Sequence, residues 1–247
     1  MWIGDKRRAT KTVVFFHGGG YVQAISWGHL EWCLRGFVQG TNKAEVAVAA
    51  LQYGLAPTVT YPGQLRQAVA ALNHLLRSGI QPQDIIVGGD SSGGNLTLLL
   101  LAHILRPLPD VEPVQGMTSP FAGAFTVSPW AGNRADKPSW RENDHVDAVS
   151  SRILVQFGRQ WYNETRPNQE GRDGNDFMFP LDADPSCSWL DGLSKVTNSL
   201  YITAGKHEIL RDDILAVAEG ARRRNSDVEV VIKLYKIKRM TSYWWRG

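Results

Sequence analysis

Asp84-Ile85-Ile86-Val87-Gly88-Gly89-Asp90-Ser91-Ser92-Gly93-Gly94-Asn95-Leu96-Thr97-Leu98-Leu99-Leu100-Leu101-Ala102-His103-Ile104-Leu105 decides how this chain folds. Asp84 to Val87 is a short β-branched run that stops at glycines. Asn95 to Leu105 is a strongly apolar run of helical length, ended by Pro107. The order predicted is strand, tight glycine turn, helix. Within the turn, Gly89-Asp90-Ser91-Ser92-Gly93 fits Gly-x-Ser-x-Gly. A sharp strand-to-helix turn lifts the serine hydroxyl above the strand ends, and small residues two before and two after let the backbone turn that tightly. The helix N-terminus behind Ser91 favours developing negative charge. The pentad alone is weak, expected by chance in roughly one chain of this length in ten, and a glycine turn capping a helix is its bland reading.

Outward from this stretch, strands and helices alternate. Thr12 to Phe16, Glu45 to Leu51, Ala124 to Val127, Leu200 to Ala204 and Val228 to Tyr235 read as further strands. Leu30 to Val38, Pro62 to Leu76 and Arg211 to Arg224 read as helices, with Pro62 at a first-turn position and Gly40 and Gly79 as stops. Such a β-then-α order predicts the α/β class, a mostly parallel sheet with helices on both faces, as one domain over residues 1–247. Asn133 to Leu193 is rich in Asp, Asn, Pro and Trp and weakly periodic, with a helix at Ser151 to Tyr162. It reads as an insertion over the sheet, a partial cap.

A second motif, His17-Gly18-Gly19-Gly20, follows the first of these strands. Consecutive glycines leave backbone N–H groups unshielded and able to face an oxyanion; a flexible turn is the alternative. With both motifs at strand ends and in this order, the chain resembles the hormone-sensitive-lipase family of α/β-hydrolases. Tyr53-Gly54-Leu55-Ala56-Pro57, Tyr61-Pro62 and Ser128-Pro129-Trp130 resemble further segments of that family. The resemblance runs from about Thr12 to Tyr235. It implies a carboxylesterase without metal or organic cofactor. Ser91 is then the nucleophile, and the oxyanion hole falls to the glycine run Gly18, Gly19 and Gly20 together with Ser92, the donors being the amides of Gly19, Gly20 and Ser92. His17 shapes the turn. Gly205-Lys206-His207-Glu208-Ile209-Leu210-Arg211-Asp212 resembles the family's Gly-x-Asp-x-Leu-Arg-Asp segment, which puts the catalytic acid at Glu208. Asp212 and Asp213 read as first-turn residues that favour the helix dipole.

The same resemblance expects a histidine just after the last strand. The six histidines are His17, His29, His74, His103, His145 and His207, and none follows Glu208. Beyond Tyr235 the tail 236–247 diverges. The first strand matches the family's third, so both ends read as truncated, and the edge strand Glu45 to Leu51 is expected to lie unpaired. Three explanations stay open: a truncated or mis-spliced coding sequence, a non-catalytic relative, or a substitute base, for which His145 and His207 are the candidates. Gibberellin receptors resemble this family, keep its serine and lack its histidine, so a ligand-binding pseudo-hydrolase is chemically sensible.

Composition sets the remaining bounds. The chain has 247 residues, 43% hydrophobic and 21% charged, with net charge +3. Its basic residues are scattered apart from Arg222 to Arg224 at a helix end, which gives no case for nucleic acid. No apolar run is long enough to span a bilayer. Cys33 and Cys187, the two cysteines, read as free thiols in a reducing compartment, so the expected setting is cytoplasmic. The expected partner is a small-molecule ester, of secondary metabolism or detoxification. Trp27, Trp130, Trp140 and Trp161 are candidates for the pocket walls, although an aromatic is more often core.

Overall fold

Lys11–Phe16 (β2), β-branched and aromatic after its first residue and buried on both faces, is an interior strand of the sheet. A computed structural model of the chain describes residues 1–40, 45–162 and 178–236. Around β2 lie Trp2–Ile3 (β1), Val46–Leu51 (β3), Ile85–Asp90 (β4), Gly123–Val127 (β5), Ser199–Gly205 (β6) and Glu229–Tyr235 (β7), in the order β1-β3-β2-β4-β5-β6-β7. All neighbours are parallel except β1 and β3. The chain steps left from β2 to β3 and right from β4 onward, so the order switches between β2 and β4. In open α/β sheets ligands bind at the carboxyl ends of the strands beside such a switch.

Alternation along the strands divides the core. Val14 and Phe16 belong to the larger cluster, with Leu65 and Leu72 of helix α2 (Gly63–Arg77), Leu96 and Leu100 of α3 (Ser92–Leu105) and Ile214 and Val217 of α7 (Arg211–Arg224). Val13 and Phe15 face the other way, into a smaller cluster with Val48, Ala50, Phe125 and Cys33. Helix α1 (Trp27–Cys33) covers that face and passes into a π-helical turn over Leu34–Val38. It starts three residues before the expected Leu30. Ser26 caps it, accepting from His29 N–H, while the His29 ring accepts from Ser26 N–H. Helix α3 also starts earlier than its apolar run, directly after Ser91.

The edge expected to be bare is partly paired. Trp2 and Ile3 run antiparallel to Ala49 and Val48, and Met1 exchanges backbone hydrogen bonds with Ala50. In the cap, Ser151–Tyr162 (α5) forms where its periodicity places it, with Pro138–Glu142 (α4) and Pro180–Ala183 (α6) on either side. Residues 163–177 of the expected cap and 237–247 of the divergent tail lie outside the described residues.

Candidate active site

Ser91 stands between β4 and α3 with φ 51° and ψ −117°, a left-handed conformation that costs a non-glycine residue energy and persists only where the surroundings impose it. They do so here. Ser91 N–H donates to Val127 O at 2.8 Å, and its carbonyl accepts from Asn95 N–H and Trp130 N–H at 2.9 and 3.0 Å. The flanking glycines are sterically required: a Cβ on Gly89 or on Gly93 would strike Phe16 O. The β2 strand end thus passes directly beneath the turn.

The glycine loop after β2 divides its labour. Gly18 N–H donates to Asp90 Oδ1 at 2.9 Å, and a Cβ there would collide with the same carboxylate. Gly18 therefore clamps the loop to the serine turn, which corrects its assignment to the oxyanion hole: its donor is already used. Gly19 and Gly20 follow with φ 109° and 62°, and both line the pocket that holds Ser91. Their amides make no hydrogen bond among the described residues. Ser92 N–H, first in α3, has no intrahelical acceptor. These three amides thus remain without an acceptor among the described residues.

His17 is fully buried, stacked on Tyr53 at 4.1 Å, with Nδ1 2.7 Å from Gly18 O. Burial lowers its pKa to about 4, so the ring is neutral and shapes the loop. Tyr53 completes this corner by donating its O–H to His17 O at 2.6 Å.

Glu208 lies across β5 from Ser91. It is fully buried, and Oε1 accepts from Ser128 O–H at 2.8 Å. Oε2 is buried with no partner among the described residues. Burial pushes this carboxyl up to about 7, against the opposing hydrogen bonds from Ser128 and Gly205. Its loop is braced from the cap: Asn143 Nδ2 donates to Glu208 O, and Ile209 N–H donates to Asp147 Oδ2, each at 2.8 Å. Ser139 O–H reaches Ile209 O at 2.6 Å. Asp212 and Asp213 take part beyond any dipole role, accepting from Ser139 N–H and Trp140 Nε1–H at 2.9 and 2.7 Å. None of these braces was legible in the sequence, because each joins residues more than sixty positions apart.

The cavity above Ser91 has a volume of about 720 Å³, within the range of small-molecule sites. Its walls include Trp27, Val149, Leu154 and Phe157. Of the four candidate tryptophans Trp27 alone lines it; Trp130, Trp140 and Trp161 are buried in the core. Neither His145 nor His207 lines the cavity; among the described residues His29 is the one histidine that does. Both of its ring nitrogens are engaged. Nδ1 accepts from Ser26 N–H at 3.0 Å, which leaves the proton on Nε2, 3.5 Å from Asp90 Oδ2. A general base needs a free lone pair, and His29 in this tautomer offers none to Ser91. No group of three or more His, Cys, Asp or Glu among the described residues is arranged to hold a metal ion. No helix among them is long and apolar enough to cross a membrane.

Comparison with known proteins gives this geometry a context. Residues 13–237 match the family model described as an alpha/beta hydrolase fold. An esterase of Acinetobacter venetianus is 30% identical over 235 residues, covering 94% of this chain and 68% of that one. An acetyl-hydrolase of Streptomyces hygroscopicus is 28% identical over 232 residues, covering 92% and 67%. Among solved structures, an esterase from the bacterial hormone-sensitive lipase family superposes with a TM-score of 0.69 at 25% identity, covering 95% of this chain and 69% of that one. The chain thus spans about two thirds of the length of each.

Proposed function

The chain belongs to the α/β-hydrolase fold family, and we propose that it is a serine hydrolase of small-molecule carboxylic esters working through an acyl-enzyme on Ser91. The observation that carries this reading is the backbone of Ser91, held at φ 51° under a cavity flanked by Gly19 and Gly20. Strain of this kind is kept where a function uses it. Relatives named as an esterase and an acetyl-hydrolase support the same class.

In this mechanism Ser91 Oγ adds to the acyl carbon, and the carbonyl oxygen, now negative, is received by the amides of Gly19, Gly20 and Ser92. Collapse expels the alcohol, and water then releases the acid from Ser91. Each half needs a proton acceptor. In this reading Glu208, whose buried Oε2 has no partner among the described residues, is the acceptor that orients an imidazole N–H, yet every histidine of this sequence precedes Glu208. In a serine protease, loss of that histidine costs on the order of a million-fold in kcat and leaves about 10³ to 10⁴ over water.

The unpartnered Oε2 also favours a second reading, a protein of this family that binds an ester-like ligand without turning it over. Hydrolysis of p-nitrophenyl acetate and butyrate by the chain and by Ser91→Ala, with and without added imidazole, separates the two. Slow release by the chain that Ser91→Ala abolishes, and that imidazole raises only when Ser91 is present, is the expected result. Equal background rates for both folded proteins under all conditions would leave the binding reading.

A further inference from the structure

The cap helix α5 lays the Phe157 ring on Gly20 of the glycine loop. A Cβ on Gly20 would meet the Phe157 ring, 2.9 Å from Cγ and 3.0 Å from Cε2, so the ring sits flush on the bare face of Gly20. The helix carrying it is firmly seated. One turn on, Trp161 is buried, stacks on Tyr21 at 3.8 Å and donates Nε1–H to Gln64 Oε1 at 2.9 Å. Gly158 lies so close to Asn133 that a Cβ would strike its amide. Phe157 shares an inward stripe with Leu154, Gly158 and Trp161, so the docking of α5 holds its backbone over the loop.

The cavity also has solvent-exposed walls. Trp27, 77% exposed, and Ile153, 41% exposed, line it as well. No Lys or Arg lines the cavity among the described residues. Of its two carboxylates, Asp90 accepts from Gly18 N–H and Glu31 pairs with Arg35 at 2.6 Å, so neither is left over as a counter-ion for a cationic substrate, and the lack of Lys and Arg leaves none for an anionic one. An ester has two arms on its carbonyl carbon. With the carbonyl oxygen at the Gly19–Gly20 amides, one arm lies toward Phe157 and the other toward the Trp27 rim.

We propose that Phe157 is the specificity-determining residue of this site, restricting the arm that meets it to a small group while a bulky, uncharged arm extends to the Trp27 rim. The assignment rests on the esterase reading of Ser91, and its test is kept separate from turnover. In the non-hydrolysing Ser91→Ala protein, calorimetry measures the affinities of 1-naphthyl acetate, with one small arm, and 1-naphthyl hexanoate, with none. The acetate is expected to bind about tenfold or more tightly than the hexanoate, the scale at which a closed apolar pocket rejects extra methylenes. Adding Phe157→Ala is expected to erase that ratio, and Phe157→Leu to reduce it, with circular dichroism reporting the fold of each. An unchanged ratio in a folded Phe157→Ala protein, or no binding of either ester up to its solubility limit, overturns the proposal. A ratio that responds to Phe157 in a chain without Ser91-dependent turnover supports it while the esterase reading fails. Turnover with a ratio indifferent to Phe157 does the reverse.

Discussion

Glu208 has one oxygen bonded to Ser128 and the other bonded to nothing among the described residues, in a place water does not reach. Its carboxyl is raised from 4.5 to about 7, first by burial. Between those two pH values the native state holds a proton that the unfolded chain has lost, so stability falls as pH rises through that window and levels off above it. A shift of this size corresponds to roughly 3 kcal/mol at full ionisation. Glu208→Gln keeps the shape and removes the charge. It is expected to raise the Tm at pH 8, leave it near the wild-type value at pH 4.5, and flatten the profile between. A Tm at pH 8 unchanged by the substitution would show that the carboxylate is not desolvated as described. At this scale the strained turn at Ser91 was legible, because its pentad is local, while Glu208 was singled out only through its neighbours Leu210 to Asp212. The role of Gly18 was not, since three identical glycines do not reveal which amide meets Asp90, seventy-two positions away. Nor was the placement of His29 in the cavity that holds Ser91, which depends on where Ser26 caps α1.

Among the elements, the strand-turn-helix of β4 and α3 shows why local propensity does not decide everything. Alanine is a better helix former than glycine by about 1 kcal/mol, so Gly93→Ala in the first turn of α3 ought to help. A Cβ there meets Phe16 O, which belongs to β2 and has no room to yield. Gly93→Ala is therefore expected to cost about 3 kcal/mol or more, as overpacking against backbone does. Gly36, in the π-helical turn, is the control: its added Cβ would find only Trp32 Nε1 at 3.9 Å. Gly36→Ala is expected to be neutral, or stabilising by up to about 1 kcal/mol. Urea titration of both variants measures the difference, and equal midpoints would contradict the steric account. Helices of three turns or more were readable, as α5 and α7 show, with bounds that match those expected. Trp2–Ile3 was not, because a two-residue strand has no periodicity and exists only through its pairing with Val48 and Ala49.

At the scale of the molecule, the question is whether cap and sheet are one cooperative unit. A chain of 247 residues exceeds the size at which two-state unfolding is the default. The contacts argue for cooperation nonetheless. Trp161 of α5 belongs to the same apolar cluster as Val14 and Phe16 of β2, and so do Phe179 and Leu181 of the cap. Polar ties cross the same boundary: Asn95 Nδ2 donates to Met178 O at 3.2 Å, and Trp140 Nε1–H to Asp213 Oδ2 at 2.7 Å. A cap that opened alone would leave Glu208 without Asn143 and Ile209 without Asp147, exposing a carboxyl the rest of the fold keeps dry. Urea unfolding is therefore expected to give coincident transitions by far-UV circular dichroism, which follows the helices, and by tryptophan fluorescence, which averages over nine tryptophans, Trp161 in the cap and Trp130 beneath it among them. Leu72→Ala, deep under the sheet on α2, should move both curves together by about 2 to 5 kcal/mol with no change in slope. Two separated transitions, of which Leu72→Ala moves one alone, would mean that the cap is an independent unit, and that Phe157 reaches Gly20 only while α5 is docked.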